Sequence, residues 1–187
     1  MYIMKQKSSV IIVFTGDSKG KTCAGIGLAA RALGAGRRVA FVQFIKTWQV
    51  SEHKFFVDIA PVFGDRFEFY RGGRGFYNAG EHSAKGVSDE EHATAARTTF
   101  DYAVKCATSG DYDLVICDEI NNAVHDGLLS VDDLRSLIKT HAAGTSLCLT
   151  GRNFPPELLD RVDIATDMSK IKHHYDDGFT AAEGIDL

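Results

Sequence analysis

No run in this 187-residue sequence approaches the ~18 apolar residues of a membrane span. The N-terminal apolar stretch Val10-Ile-Ile-Val-Phe14 is too short for a secretory h-region and has no small-residue cleavage site after it. The four cysteines, Cys23, Cys106, Cys117 and Cys148, form no C-x-x-C pair, so neither a disulfide framework nor a zinc ribbon is indicated. They read instead as small buried hydrophobes of a reducing compartment, and a cytoplasmic protein is expected. Basic surplus is also missing: 21 Lys and Arg against 25 Asp and Glu give a net charge of −4, which excludes a whole-domain nucleic-acid surface. Seven histidines supply no H-E-x-x-H or other zinc spacing, and His173-His174 are adjacent residues that rarely face one ligand. There is no G-x-S-x-G elbow and no cysteine placed as a nucleophile.

What is present is an ordinary globular composition, 44% hydrophobic and 25% charged, in a length that predicts one domain over 1–187. Short β-branched runs at 10–14, 38–44, 66–70, 113–117, 146–150 and 162–166 read as strands. Several are apolar at nearly every position, as strands covered on both faces are. Helical segments lie between them. Ser88-Asp-Glu-Glu91 is a capping box leading to Ala96, Phe100, Ala103 and Ala107 on one face, with Gly110 as the stop. Ser130-Val-Asp-Asp133 opens a second helix, and residues 21–33 form a third before Gly34 and Gly36. The alternation implies an α/β fold: a doubly wound, mainly parallel sheet of about six strands with right-handed crossovers. Segment 46–86, rich in aromatics, glycine and charge, yields one strand and is otherwise expected to form long substrate-site loops over the sheet edge.

The first strand runs into Thr15-Gly16-Asp17-Ser18-Lys19-Gly20-Lys21-Thr22 and then a helix. Strand, glycine-rich turn and helix start are the order a phosphate cradle needs: backbone N–H groups turn inward, the helix dipole adds positive potential, Lys21 a cation and Thr22 a hydroxyl for a metal. Gly16 stands four positions before Gly20, one fewer than in the common P-loop. By residue frequency, a chance G-x-x-x-G-K-T is expected in roughly one chain of several hundred. A second signal is Leu114-Val-Ile-Cys-Asp118-Glu119, an apolar strand ending in two carboxylates suited to Mg²⁺ or Mn²⁺, with Asp118 and Glu119 both candidate ligands. A third is Leu149-Thr150-Gly151-Arg152-Asn153, where Arg152 leaves a strand end either towards a bound nucleotide or into a surface salt bridge.

These segments, with Arg31-Ala-Leu-Gly-Ala-Gly36, Val42-Gln-Phe-Ile-Lys46, Trp48, Glu52, Asp118-Glu-Ile-Asn121, Thr150-Gly-Arg-Asn153, Pro155-Pro-Glu-Leu158, Lys172-His173, Asp176, Gly178 and Gly184-Ile-Asp186, resemble the P-loop type of ATP:corrinoid adenosyltransferase in order along nearly the whole chain. The shortened loop belongs to that resemblance. It implies a P-loop (RecA-like) fold and transfer of the 5′-deoxyadenosyl group of ATP to the cobalt(I) of a corrinoid, with release of triphosphate, in adenosylcobalamin synthesis or salvage. It also implies that ATP lies in the loop with its terminal phosphate deepest, that Glu52 contacts the nucleotide, that a flavin-dependent reductant supplies electrons, and that the protein is a homodimer. The family's Phe-x-Trp pair, which shields the lower corrinoid face, reads Phe76-Tyr77-Asn78 here. Phe76 and Tyr77 are the candidates for that cap; either Tyr77 substitutes for the missing Trp or the cap is incomplete. Two rival readings stand beside this one: a RecA-like ATPase using Asp118 and Glu119 as metal ligand and base, and a non-catalytic carrier of ATP and corrinoid.

Overall fold

The apolar runs at 39–43 and 114–118 become strands buried at every position, whereas the edge strand at 164–167 is exposed throughout. In a computed structural model describing residues 7–46, 50–75, 77 and 83–186, the order is β1 (Ile11–Thr15), α1 (Lys21–Gly34), β2 (Val39–Gln43), α2 (Ser51–Phe63), β3 (Phe67–Arg71), α3 (Asp89–Ser109), β4 (Leu114–Asp118), α4 (Ile120–His125), α5 (Val131–Thr140), β5 (Ser146–Thr150) and β6 (Ile164–Asp167). The sheet order is β3-β2-β4-β5-β1-β6 and every pairing is parallel. This is the expected doubly wound α/β sheet, with each of the six strands within about two residues of its anticipated bounds. Among the described residues no helix is long and apolar enough to cross a membrane.

Side-chain alternation divides the core. Val39, Phe41, Leu114 and Ile116 face a layer built from Ala29 and Leu33 of α1 and Phe56 of α2. Ala40, Val42, Val115 and Cys117 face α3, α4 and α5 through Ala96, Phe100, Ala103, Ile120, Leu134 and Leu137. Both helices expected from capping boxes have them: Ser88 with Glu91 at α3, which ends on left-handed Gly110, and Ser130 with Asp133 at α5. Arg97 of α3 grips Asp133 with two 2.9 Å bonds, tying these helices together.

Segment 46–86 differs from expectation, because residues 51–63 form α2 rather than loop. The reason is burial. Phe56 packs its ring 4.6 Å from Phe41, 5.5 Å from Phe67 and 4.7 Å from Phe69, with Ile59, Ala60 and Phe63 on the same side. That aromatic contact fixes a helix whose N-cap, Val50, makes no side-chain cap and whose last turn contains Pro61. Beyond β3, the chain at Gly72 and Gly75 hydrogen-bonds back to the carbonyls of Gln43 and Ile45, extending the edge of the sheet towards its carboxyl end.

Phe56→Ala is expected to cost about 3–5 kcal/mol of unfolding free energy, because a buried ring is replaced by a cavity. Val57→Ala, one position along on the exposed face, should stay within about 0.5 kcal/mol. Denaturant titration of both checks whether the aromatic cluster holds α2.

Candidate functional site

The carboxyl ends of β1, β2, β4 and β5 lie side by side, and the candidate residues emerge there. The loop between β1 and α1 turns through Gly16 and Gly20, both at positive φ (104° and 107°). A side chain at Gly16 would meet the backbone of Met168 at 2.7 Å, so only glycine lets the loop lie against the chain leaving β6. Two backbone bonds fix that contact: Met168 N–H donates to the Thr15 carbonyl at 2.8 Å, and Ser18 N–H donates to the Met168 carbonyl at 3.0 Å. Unlike α3 and α5, α1 starts without a side-chain cap or an acidic residue in its first turn. Its first N–H groups and positive dipole end are therefore left for an anion.

Lys21, the first residue of α1, is only 7% exposed, and its Nζ donates to the carbonyls of Gly16 (2.8 Å) and Ser18. Burial lowers its pKa, with the charge of Glu119 opposing that shift and that of Arg152 adding to it. Lys19 points elsewhere, donating to the main-chain carbonyl of Asp186 at 2.7 Å. Asp17 accepts from the Lys170 N–H at 3.1 Å, so residues 168–186 lie along the outer side of the loop.

Asp118, wholly buried at the tip of β4, accepts from Thr150 Oγ1 (2.6 Å), Gln43 Nε2 (3.0 Å) and Thr22 Oγ1 (3.3 Å). Glu119 follows with a left-handed backbone (φ 65°), its N–H donating to Thr150 Oγ1 at 3.0 Å. Burial first, and then the neighbouring Asp118 charge, push the Glu119 carboxyl well above the usual range, against the opposing charges of Lys46, Lys21 and Arg152. Arg152 is exposed beside this group; its N–H donates to Asn122 Oδ1 at 2.6 Å, and Asn121 Nδ2 donates to the Gly151 carbonyl at 3.3 Å. The turn after β5 is thereby clipped onto the start of α4.

Glu52, in the first turn of α2, pairs with Lys46 at 2.8 Å, both side chains largely covered. Burial works against the ionised form of each. The Lys46 bond nevertheless lowers the Glu52 pKa, and Asp118 followed by Glu52 raises that of Lys46. Tyr77 is half-buried with its ring 5.1 Å from buried His92 at the start of α3. Phe76 and Asn78, the other positions of the expected cap, lie outside the described residues, as does Trp48.

The structure thus brings Lys21, Thr22, Asp118, Glu119 and Arg152 to one end of the sheet and adds partners that local motifs do not mark: Lys46, Gln43, Thr150 and, 2.5 Å from Gln43 Oε1 through its Nε2, His53 of α2. Gln43 is paired directly across from Asp118 in the β2–β4 register, which is a consequence of strand order rather than of local sequence. Chemically, the assembly offers amides and cations for a polyphosphate and oxygen donors for a hard divalent ion.

A sequence model of the family described as ATP:corrinoid adenosyltransferase BtuR/CobO/CobP matches residues 7–187. Curated relatives include a corrinoid adenosyltransferase of Pseudomonas aeruginosa, 30% identical over 184 residues covering 98% of this chain and 86% of that protein. Another is the corrinoid adenosyltransferase CobA of Salmonella typhimurium, 29% identical over 183 residues, with 97% and 87% covered. Among solved structures, the flagellar accessory protein FlaH from Methanocaldococcus jannaschii superposes with a TM-score of 0.55 at 14% identity, covering 86% of this chain and 71% of that one, a likeness of fold alone.

The raised Glu119 carboxyl has a signed consequence. Its ionisation penalises the folded state, and the penalty grows as pH rises from the ordinary carboxyl range through the raised pKa. In metal-free protein, Glu119→Gln is expected to match the parent's stability near pH 4 and to exceed it at pH 8 by about 1.4 kcal/mol or more, the equivalent of one pKa unit. Denaturant unfolding at the two pH values checks this; a variant less stable at pH 8 would show that the surrounding cations outweigh burial.

Proposed function

The chain belongs to the ATP:corrinoid adenosyltransferase family BtuR/CobO/CobP, a family of transferases, and on that premise we propose that it transfers the 5′-deoxyadenosyl group of ATP to the cobalt(I) of a corrinoid, releasing triphosphate. The observation that carries this reading is the shortened loop with its uncapped helix start, buried Lys21 and the Thr22–Asp118 contact, all at one end of the sheet. In the reaction, the cobalt(I) electron pair forms the bond to C5′ while the C5′–O bond breaks and its pair leaves with the triphosphate. Cobalt(I) is already a strong nucleophile, so no general base is required. What the protein supplies is alignment of C5′ with cobalt and stabilisation of charge on the leaving group.

Loop geometry supports the phosphate-side assignments, and the family resemblance supports those of the corrinoid cap. The amides of Gly16, Asp17, Ser18, Lys19 and Gly20 wrap the phosphates. Lys21 turns from the Gly16 and Ser18 carbonyls to a phosphate oxygen, and Lys19 exchanges its contact with Asp186 for the same chain of anions. Arg152 adds a cation at the rim, and Glu52, fixed by Lys46, offers an acceptor to the nucleoside hydroxyls. Thr22 Oγ1 and Asp118 Oδ2, 3.3 Å apart, are hard oxygen donors that fit Mg²⁺ or Mn²⁺, with Glu119 beside them. Bound there, such an ion would neutralise part of the triphosphate charge. Phe76 and Tyr77 are assigned to the lower corrinoid face, where aromatic area would exclude water and an axial base. A flavin-dependent reductant, a homodimeric assembly and a cytoplasmic, adenosylcobalamin-forming setting complete the proposal.

One observation favours a second reading, ATP hydrolysis: Glu119, with its raised carboxyl pKa, is placed beside Asp118 as a base would be. Anaerobic incubation with ATP, Mg²⁺ and chemically reduced cobalamin separates the two. Transfer predicts the adenosylcobalamin spectrum and one triphosphate per cobalt–carbon bond. ADP with inorganic phosphate, or binding of both ligands without bond formation under strong reduction, contradicts it. Lys21→Ala should lower turnover by about 10²-fold or more, the scale of one preorganised donor at the developing charge, and near-parental turnover would refute the loop assignment.

A further inference from the structure

Behind Asp118 lies a chain of hydrogen bonds that reaches the edge of the sheet. Gln43 Nε2 lies 3.0 Å from Asp118 Oδ2, Gln43 Oε1 lies 2.5 Å from His53 Nε2, and His53 Nδ1 lies 3.3 Å from an Arg71 guanidinium nitrogen. Gln43 and Asp118 are fully buried and His53 is 4% exposed. The donor inventory allows one direction through this chain. An ionised Asp118 only accepts, so the amide nitrogen of Gln43 faces it and the amide oxygen faces His53. That oxygen accepts a hydrogen bond from the proton on Nε2, which leaves Nδ1 bare. Arg71, which only donates, meets the bare nitrogen. Charges facing His53 come from Arg71, Glu52, Lys46 and Asp118, drawn from β3, α2, the segment after β2 and β4.

We propose that Arg71, His53 and Gln43 are positioning residues that fix the Asp118 carboxylate, keeping Oδ2 turned towards Thr22 while Thr150 holds Oδ1. A glutamine amide has two ends of similar size, and turned over it would present its oxygen to Asp118, an acceptor against an acceptor. His53 prevents that by accepting no bond at Nε2 and offering only a proton. Arg71 in turn selects the His53 tautomer by occupying Nδ1, the same logic by which outer partners orient metal-ligating groups. None of the three touches substrate in this scheme. The chain also gives α2 a function, because its first turn delivers both Glu52 to Lys46 and His53 to Gln43. This inference rests on the reading that Asp118 and Thr22 hold a divalent cation with ATP.

Two measurements test it. In metal-free, ¹⁵N-labelled protein, long-range ¹H–¹⁵N spectra should show His53 with its proton on Nε2 and a bare Nδ1; the opposite tautomer overturns the proposal. Binding of Mn²⁺ in the presence of ATP, read by electron paramagnetic resonance, should weaken about tenfold in His53→Leu, within the 10- to 100-fold range of such outer partners. His53→Gln, which keeps an N–H donor at similar reach, should recover to within about threefold of the parent, with cobalamin binding unchanged in both. Asp118→Asn, as the reference, should weaken Mn²⁺ at least as much as His53→Leu. If Asp118→Asn weakens Mn²⁺ and His53→Leu does not, or if the Gln variant is no better than the Leu variant, the positioning role falls and the cation reading stands. If Asp118→Asn leaves Mn²⁺ binding unchanged, both fall. Should His53→Leu fail to fold, Arg71→Met removes only the outermost bond. The Nε2–H tautomer, still fixed by Gln43, should persist while the bare Nδ1 resonance moves towards that of an imidazole nitrogen without a donor; an unmoved Nδ1 signal would overturn the role given to Arg71 and with it the chain.

Discussion

The structure turns on one buried carboxylate. Asp118 has no contact with solvent, and three donors meet it from three different parts of the chain: Thr22 at the start of α1, Gln43 on β2 and Thr150 on β5. A buried charge without partners is among the most expensive features a fold can carry. Those donors are available only if β2, β4 and β5 pair in this register, with Gln43 opposite Asp118 and Thr150 one step beyond the Cys117–Leu149 pair. The same carboxylate therefore both constrains the sheet and sits where its strands deliver the phosphate loop. Apolar burial builds the layers, and this polar knot sets the alignment of their carboxyl ends.

Around the knot, the loop's own groups are already engaged. Lys21 is bonded to two loop carbonyls, Ser18 N–H to the Met168 carbonyl and Lys19 to Asp186. Under the proposed function, anion binding here is an exchange of partners, so affinity is the difference between the new contacts and those given up. The chain leaving β6 takes part in that exchange, because Asp186 also accepts from the Ala182 N–H at 2.6 Å and lies 3.1 Å from His174 Nε2. The proposed contact of Lys19 with nucleotide would thereby be coupled to the order of residues 168–186.

Much of this was legible in the sequence, for identifiable reasons. The strands announced themselves because parallel strands covered on both faces are apolar nearly throughout, as 39–43 and 114–118 are. The helices α3 and α5 were marked by capping boxes at Ser88 and Ser130. The loop 15–22 and the Asp118-Glu119 pair were found because each is local. Helix α2 was not, since Val50 supplies no cap and Pro61 interrupts its last turn; only the spacing of Phe56, Ile59, Ala60 and Phe63 hinted at it. The Gln43–His53–Arg71 chain was beyond local reading altogether. Its members are 10 and 18 residues apart and meet only through α2 docking and the order of β3, β2 and β4.

Under the proposed function, the carboxyl ends of β1, β4 and β5 form one site for ATP and a divalent ion. A crystal structure of the protein with ATP and Mn²⁺, using the anomalous signal of manganese, tests it most directly. Expected are an anomalous peak contacting Thr22 and Asp118, triphosphate inside the loop 15–22, and Lys21 Nζ moved from the Gly16 and Ser18 carbonyls onto a phosphate oxygen. Nucleotide bound elsewhere on the protein, or manganese away from Thr22 and Asp118 with Lys21 still on those carbonyls, would contradict it.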